Sequence, residues 1–197
     1  MTTDLIIQQG KTFTRVIRWA VGPYIYKPIT AITQAAPASV TCTAHGLVEG
    51  WRAAIVSVAG MTQINAANAP PRSDDYHKVT VTDVNTVSFN DINSARYSAY
   101  ASGGYLQYLT PVSLAGYTAR MSIKDAVGGT EILSLTTENF RIVLNDTAKT
   151  ITLIVDAITT AALTAEYGVY DLELVAADGA VTVLLSGSIT ITPEVTT

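Results

Sequence analysis

Residues 167–192 read YGVYDLELVAADGAVTVLLSGSITIT and contain the clearest structural signal in the sequence. Two runs rich in Val, Leu and Ile flank the pair Asp178-Gly179, which favours the tight turn of a β-hairpin. Because side chains alternate between the two faces of a strand, apolar residues at every second position are expected to share a face. These residues are Tyr170, Leu172 and Leu174 in the first run and Val181, Val183 and Leu185 in the second.

The composition extends this β prediction to the whole chain of 197 residues. Thr (28), Val (19) and Ile (17) together supply 64 residues, and β-branched side chains pack well on a pleated surface. Apolar residues make up 48% and charged residues 14%, which excludes an intrinsically disordered chain. A helix is predicted only at residues 156–164, where Asp156 can act as the N-cap. Many short strands joined by regular turns predict an all-β sandwich or barrel.

Charge and cysteine content exclude several classes of function. The net charge of −4 argues against binding to a nucleic-acid backbone. Cys42 is the single cysteine, so no disulfide can form within the chain, and folding in a reducing cytoplasm is expected. No apolar run approaches the length of a membrane span, and the N-terminus lacks the pattern of a signal peptide. We therefore expect neither nucleic acid nor a membrane as a partner.

The chain is expected to contain two domains, one placed within the other. Residues 29–106 differ from the rest in being rich in Ala, Asn, Ser and Tyr, and they look like a compact unit. An inserted unit is tolerated when its entry and exit lie close together. We therefore predict a discontinuous β-sandwich formed by residues 1–28 and 107–197, with a smaller β-barrel or sandwich at residues 29–106.

The segments outside the middle unit carry a family resemblance. They read DLIIQQGKTF at residues 4–13, LAGYTARMSIK at residues 114–124 and YDLEL at residues 170–174. These segments resemble a family of bacteriophage virion proteins with a short immunoglobulin-like sandwich, similar to the N-terminal domains of phage upper baseplate proteins. Those domains attach peripheral organelles to the tail hub.

The middle unit carries a second resemblance. Its segments read ITAIT at residues 29–33, PASVT at residues 37–41, GMTQIN at residues 60–65 and YASGG at residues 100–104. They resemble a phage module similar to the FCCH-type β domain first described in ubiquitin-activating enzymes. Compared with the usual phage pattern, the outer domain is split, because it is interrupted after Trp19 and resumes near Leu109.

Together the resemblances imply a non-enzymatic structural protein of the virion, assembled in the cytoplasm of a bacterial host. Its partners would be other virion proteins of a tail, baseplate or neck ring, and it would be present as repeated copies or a homo-oligomeric ring. Edge strands are natural partners for strand addition between such chains. A capsid decoration protein is an alternative within the same class.

Candidate catalytic and metal-binding residues are few, and each has a simpler structural interpretation. Cys42 and His45 supply at most two of the three or four ligands that zinc needs, so His45-Gly46 is expected to form a turn. Asp74 and Asp75 are adjacent in a loop, whereas a glycosidase needs two carboxyl groups at a defined separation, one with a raised pKa. We predict no catalytic residues, no metal site and no cofactor.

Tyrosines provide the candidate interface. Tyrosine buries a large area at low entropic cost and keeps a polar hydroxyl, so clusters of it occur at interfaces. The commoner role of such tyrosines is a rigid seam between the two domains of one chain. The tyrosines near the predicted domain junctions are Tyr24, Tyr26, Tyr97, Tyr100, Tyr105 and Tyr108.

A second class of function is a module that binds host polysaccharide. Aromatic side chains of the middle unit, such as Trp51 or Tyr100, would then stack on sugar rings. Trp51 is nevertheless expected to pack in a core. A polysaccharide-degrading enzyme is the third class and would depend on Asp74 or Asp75.

Overall fold

The computed structural model describes residues 3–194 and has the all-β architecture that the composition predicts, with 51% of residues in strands and 6% in helix. The chain divides into two compact units. The first, which we call the outer unit, contains residues 3–19 and 113–194. The second, the middle unit, contains Ala20–Val112.

Eight strands form the outer unit. They are β1 (Leu5–Gln8), β2 (Phe13–Ile17), β10 (Thr118–Lys124), β11 (Glu131–Thr136), β12 (Ile142–Asn145), β13 (Thr150–Val155), β14 (Tyr167–Val175) and β15 (Val181–Thr192). One sheet has the order β1-β15-β14-β10-β11, and the other has the order β12-β13-β2. All neighbouring pairs are antiparallel except β1 and β15, which run parallel.

Both sheets contribute to one apolar core, so the outer unit is a sandwich. Met121 and Leu172 of the larger sheet and Leu153 of the smaller sheet are almost completely buried in this core. Along β10, β13 and β14 buried residues alternate with more exposed ones, as expected for strands with one face on a core. Tyr170 and Leu174 of β14 lie on the same buried face as Leu172, as the sequence predicts.

The prediction that Val181, Val183 and Leu185 share one face is wrong. Leu185 is buried opposite Leu172, whereas Val181 and Val183 are about half exposed. The register of the β14–β15 pair shifts between Leu172 and Glu173, which leaves an extra residue on β15. A β-bulge of this kind reverses the faces of the residues beyond it.

The predicted helix is present as α1 (Ala157–Ala161), which connects β13 to β14. The carboxylate of its N-cap, Asp156, accepts a hydrogen bond from the backbone N–H of Thr159 at 2.8 Å. In residues 3–194 the structure contains no helix with the length and apolar character of a membrane span.

Seven strands form one strongly curved sheet in the middle unit. They are β3 (Ala20–Pro28), β4 (Ala31–Ile32), β5 (Ala38–Thr41), β6 (Arg52–Ala59), β7 (His77–Asp83), β8 (Thr86–Phe89) and β9 (Ser102–Pro111). Two single-turn 3₁₀ helices lie at Thr62–Ile64 and Ser73–Asp75. The sheet order is β3-β9-β6-β7-β8-β5-β4, and all pairs are antiparallel.

The curvature of this sheet brings its two edge strands together. β3 and β4 lie at opposite edges but follow each other in the chain. Between them, the N–H of Ile29 donates to the carbonyl of Gly104 on β9, and the N–H of Thr30 donates to Thr41 on β5. The sheet therefore wraps around a separate core that includes Trp51, Phe89 and Leu106.

The boundaries of the units differ from those predicted at residues 28 and 107. β3 and β9 had been assigned to the junctions between the domains, but they pair with each other, and β9 also pairs with β6. Both strands therefore belong to the middle unit, which begins at Ala20 and ends at Val112. β2 pairs with β13 of the C-terminal third and stays in the outer unit.

Candidate functional site

Three of the six predicted interface tyrosines lie on one exposed face of the middle unit. Tyr24 and Tyr26 are two residues apart on β3, so their side chains leave the same face of the sheet. In the β3–β9 pair Tyr26 lies opposite Gln107 and Pro28 lies opposite Tyr105, which places Tyr105 on this face too. Tyr24, Tyr26 and Tyr105 expose 44%, 53% and 42% of their surface.

A fourth tyrosine, which the sequence analysis did not select, completes the group. The ring of Tyr76 stacks on Tyr24 with their centroids 6.0 Å apart, and Tyr26 meets Tyr105 edge to face at 6.3 Å. The side-chain amide of Gln107 donates to the hydroxyl of Tyr76 at 2.9 Å and holds it in place. We call Tyr24, Tyr26, Tyr76 and Tyr105 the tyrosine surface.

The tyrosine surface combines a large apolar area with hydroxyl groups that can form hydrogen bonds. Burial, together with the neighbouring hydroxyl of Tyr24, raises the pKa of Tyr76 above its ordinary value of 10.0. Paired aromatic rings also restrict one another, so little side-chain entropy remains to be lost when a partner covers them.

Tyr108 does not belong to this surface. It is three residues from Tyr105 on β9, so its side chain leaves the opposite face of the strand and is 2% exposed in the core. Its hydroxyl donates to the backbone carbonyl of His45, and burial raises its pKa to about 12. The prediction that Tyr108 contributes to an interface is therefore replaced by a core role.

Tyr97 and Tyr100 are partly buried in the segment before β9 and pack against the core of the middle unit. The hydroxyl of Tyr100 lies 3.0 Å from the carbonyl oxygens of both Ile29 and Gly103. The hydroxyl of Tyr100 therefore connects the segment before β4 to the start of β9. This arrangement favours a structural role for Tyr100.

The predicted turn at His45-Gly46 lies two residues earlier, at Thr43-Ala44, and His45 follows it. Its Nδ1 accepts from the backbone N–H of Leu47 at 3.0 Å, and its Nε2 lies 2.8 Å from the carbonyl oxygen of Asp83. Both ring nitrogens are therefore engaged within the protein. Cys42 is completely buried, and this burial raises the pKa of its thiol, as expected for a core cysteine. Within residues 3–194 no group of three His, Cys, Asp or Glu side chains could hold a metal ion.

Asp74 and Asp75 have different environments. Asp74 is exposed, whereas the carboxylate of Asp75 is almost buried and accepts hydrogen bonds from the backbone N–H groups of Ala67 and Arg72 and from the side-chain amide of Asn68. The bond from Arg72, followed by that from Asn68, lowers the pKa of Asp75 below 3.8. A glycosidase acid needs a raised pKa, so the ionised Asp75 is suited to holding this loop rather than to donating a proton.

We predict that Asp75→Asn lowers the melting temperature at neutral pH, while Asp74→Asn leaves it unchanged. Because the pKa of Asp75 is lowered on folding, its contribution is complete above pH 3.8 and is lost as the pH falls through the folded-state pKa. Thermal melts at decreasing pH should therefore show the wild type and Asp75→Asn converging below pH 3.8. A difference that stays constant down to about pH 2 would contradict this role.

Trp51 packs in the core, as the sequence analysis expected. It is 4% exposed, and its indole N–H donates to the carbonyl of Leu109 at 3.1 Å. It therefore presents no ring face on which a sugar could stack. Among the aromatic residues first considered for polysaccharide binding, only the partly buried Tyr100 retains some exposed area.

Two further depressions contain polar side chains that already contact each other. On the outer face of the larger sheet, a groove of about 570 Å³ contains the ion pair Arg120–Glu173, with 2.7 Å between Nε and Oε2. On the middle unit, a depression of about 410 Å³ contains His77, whose Nδ1 lies 2.7 Å from Asp91. His77 also meets the ring of Phe89 edge to face. The tyrosine surface is therefore the strongest candidate for binding a partner.

Comparison with known proteins returned no match to any family model and no significant match to any curated protein.

Proposed function

We propose that the chain is a non-enzymatic structural component of a phage particle. In this proposal it docks on a ring protein of the tail, baseplate or neck and links that ring to neighbouring subunits or appendages. Its location is the virion, which is assembled in the cytoplasm of the bacterial host. Docking requires surfaces that bury apolar area and form hydrogen bonds, and it requires no reactive group.

The order of strands in the outer unit supports the immunoglobulin-like part of the resemblance. Lettered in chain order, its eight strands are A, B, C, C′, D, E, F and G. The larger sheet then contains A-G-F-C-C′, and the smaller contains D-E-B. Immunoglobulin sandwiches likewise place G, F, C and C′ in one sheet and B, E and D in the other. The middle unit occupies the connection between strands B and C.

The observation that carries the proposal is the tyrosine surface. Four tyrosine rings lie together on a sheet face, and three of them are more than 40% exposed. Tyrosine is enriched in protein interfaces, where clustered aromatic residues supply much of the binding energy. The edge-strand position of β3, which carries two of these rings, offers backbone groups beside the aromatic area.

Incorporation of variants into particles tests this function. We predict that Tyr26→Ala/Tyr105→Ala weakens attachment at least about thirtyfold, because losing one hot-spot tyrosine costs about 2 kcal/mol or more. Tyr167→Ala is the matched control, since Tyr167 is 52% exposed but lies on β14 of the outer unit. The measurement is the amount of each variant recovered in purified virions. Circular dichroism of each purified variant checks that it is folded.

Normal incorporation of the double variant would overturn docking through the tyrosine surface. Loss of binding to host polysaccharide, with incorporation unchanged, would instead favour the receptor-binding alternative. If the wild-type chain is absent from purified particles, the virion proposal itself fails.

A further inference from the structure

The smaller sheet of the outer unit has two edge strands, β2 and β12, on either side of β13. Both pairs keep one register along their whole length, without a bulge. Neither β2 nor β12 contains proline or lysine, two residues that commonly protect exposed edges from pairing with another chain, and Arg15 of β2 is the single charged side chain in these two strands. These edges are therefore compatible with the addition of a further strand.

The hydrogen-bond pattern shows which backbone groups point outward. The N–H of Ile154 on β13 donates to Arg141, just before β12, at 2.8 Å. Since successive residues of a strand point their backbone groups to opposite sides, even-numbered residues of β13 face β12 and odd-numbered residues face β2. The outward groups are consequently those of Thr14 and Val16 on β2, and those of Ile142 and Leu144 on β12.

The side chains of the two edges match on the outer face of this sheet. Val16 and Val143 both lie in register with Thr152, on opposite sides of β13. They are 52% and 44% exposed, respectively. A valine at each end of this row gives each edge an apolar contact for a neighbouring strand.

Charge favours contact between unlike edges. β2 itself carries Arg15, and Lys11 and Arg18 flank it, so residues 11–18 have a charge of +3. β12 carries no charged side chain and lies between Arg141 and Asp146. Pairing β2 with a second β2 would bring two +3 segments together, whereas pairing it with the uncharged β12 would not.

The exposed edge of the larger sheet on β11 is closed by its own chain. The carbonyl of Ser134 accepts hydrogen bonds from the side chains of Asn139 and Arg141, and the N–H of Thr136 donates to Asn139. These bonds occupy the groups that an added strand would need. The edge at β11 is therefore protected from strand addition by these side-chain bonds.

We propose that β2 of one copy of this chain pairs in parallel with β12 of a second copy. In the register that the outward groups allow, Val16 lies beside Val143 of the neighbour. The N–H of Val16 donates to the carbonyl of Ile142, and the carbonyl of Val16 accepts from the N–H of Leu144. This contact is head to tail, so repeating it produces a ring or a filament. It deepens the proposed function, in which copies are repeated around a ring.

Sedimentation of the purified full-length chain over a range of concentrations tests this pairing. We predict that Val16→Glu alone and Val143→Lys alone each raise the concentration of half-association about tenfold or more, since each places an unmatched charge in the contact. The double variant Val16→Glu/Val143→Lys should restore association, because opposite charges then face each other between copies. Val183→Lys is the control, because Val183 is equally exposed but lies on β15.

A wild-type chain that remains monomeric up to its solubility limit would overturn the pairing. A double variant that associates no better than Val16→Glu alone would also overturn it, because that is the result expected for a symmetric contact between two β2 strands. Incorporation into particles is measured separately. If the chain associates in the predicted pattern but is absent from virions, the proposed function is refuted and the pairing stands. If the chain is monomeric but present in virions, the pairing is refuted and the proposed function stands.

Discussion

Replacing Tyr108 by alanine is expected to lower the free energy of unfolding of the middle unit by about 3–5 kcal/mol, the cost of truncating a large buried aromatic side chain. Tyr108 is 2% exposed, and its hydroxyl donates to the carbonyl of His45. The change removes the ring from the core. It also leaves the carbonyl of His45, which follows the turn at Thr43-Ala44, without its donor. Urea denaturation followed by tryptophan fluorescence measures the loss, because Trp51 lies in the same core.

Two variants separate packing from hydrogen bonding in this prediction. Tyr108→Phe keeps the ring and removes only the hydroxyl, so it should cost about 1–3 kcal/mol. Tyr26→Ala truncates a tyrosine on the exposed face of β3 and should cost less than about 1 kcal/mol. If Tyr108→Ala and Tyr26→Ala were equally stable, the assignment of Tyr108 to the inner face of β9 would be wrong.

Replacing Gly60 by alanine is expected to destabilise the middle unit by about 3 kcal/mol, from the combined cost of backbone strain and overpacking. Gly60 follows β6 with φ of +84°, a conformation that alanine rarely adopts. A Cβ at this position would lie 2.4 Å from the carbonyl oxygen of Ala99 and 2.7 Å from the backbone nitrogen of Ala101. Backbone atoms cannot move aside as the end of a flexible side chain can.

Gly46→Ala provides the matched control for Gly60→Ala. Gly46 also has a positive φ, of +67°, but a Cβ there meets nothing within 4 Å. It should therefore show only the conformational cost of about 1 kcal/mol. Equal destabilisation by the two substitutions, measured by urea denaturation, would contradict the close approach of residues 99–101 to the end of β6.

The local elements of the fold could be predicted because their signals lie within short segments. Alternating apolar residues predicted β14, the pair Asp178-Gly179 predicted the following hairpin, and Asp156 predicted the start of α1. The faces of Val181 and Val183 were predicted wrongly, because a bulge depends on the register with the partner strand and leaves no mark in either strand alone.

The boundaries of the units depended on long-range pairing. β3 contains Gly22, Pro23 and Pro28, residues that are unfavourable inside a strand, and its pairing partner lies about 80 residues away. An edge strand tolerates proline because one side of it carries no ladder. For this reason the sequence of β3 indicated a junction between domains, whereas the structure has an edge strand of the middle unit there.

The tyrosine surface was partly predictable. The spacing of two between Tyr24 and Tyr26 places them on one face of any strand, and the spacing of three places Tyr105 and Tyr108 on opposite faces. This difference in spacing distinguishes the exposed Tyr105 from the buried Tyr108. The addition of Tyr76 could not be foreseen, since it depends on how the segment before β7 approaches β3.

Cryo-electron microscopy of intact particles purified from cells that produce this chain tests the central claim, the proposed docking on a virion ring, most directly. We expect density for the chain at a fixed position on a tail, baseplate or neck ring, with Tyr24, Tyr26 and Tyr105 covered by a neighbouring protein. A map in which the chain occupies its position with all three tyrosines facing solvent, or in which no density for the chain exists, would contradict it.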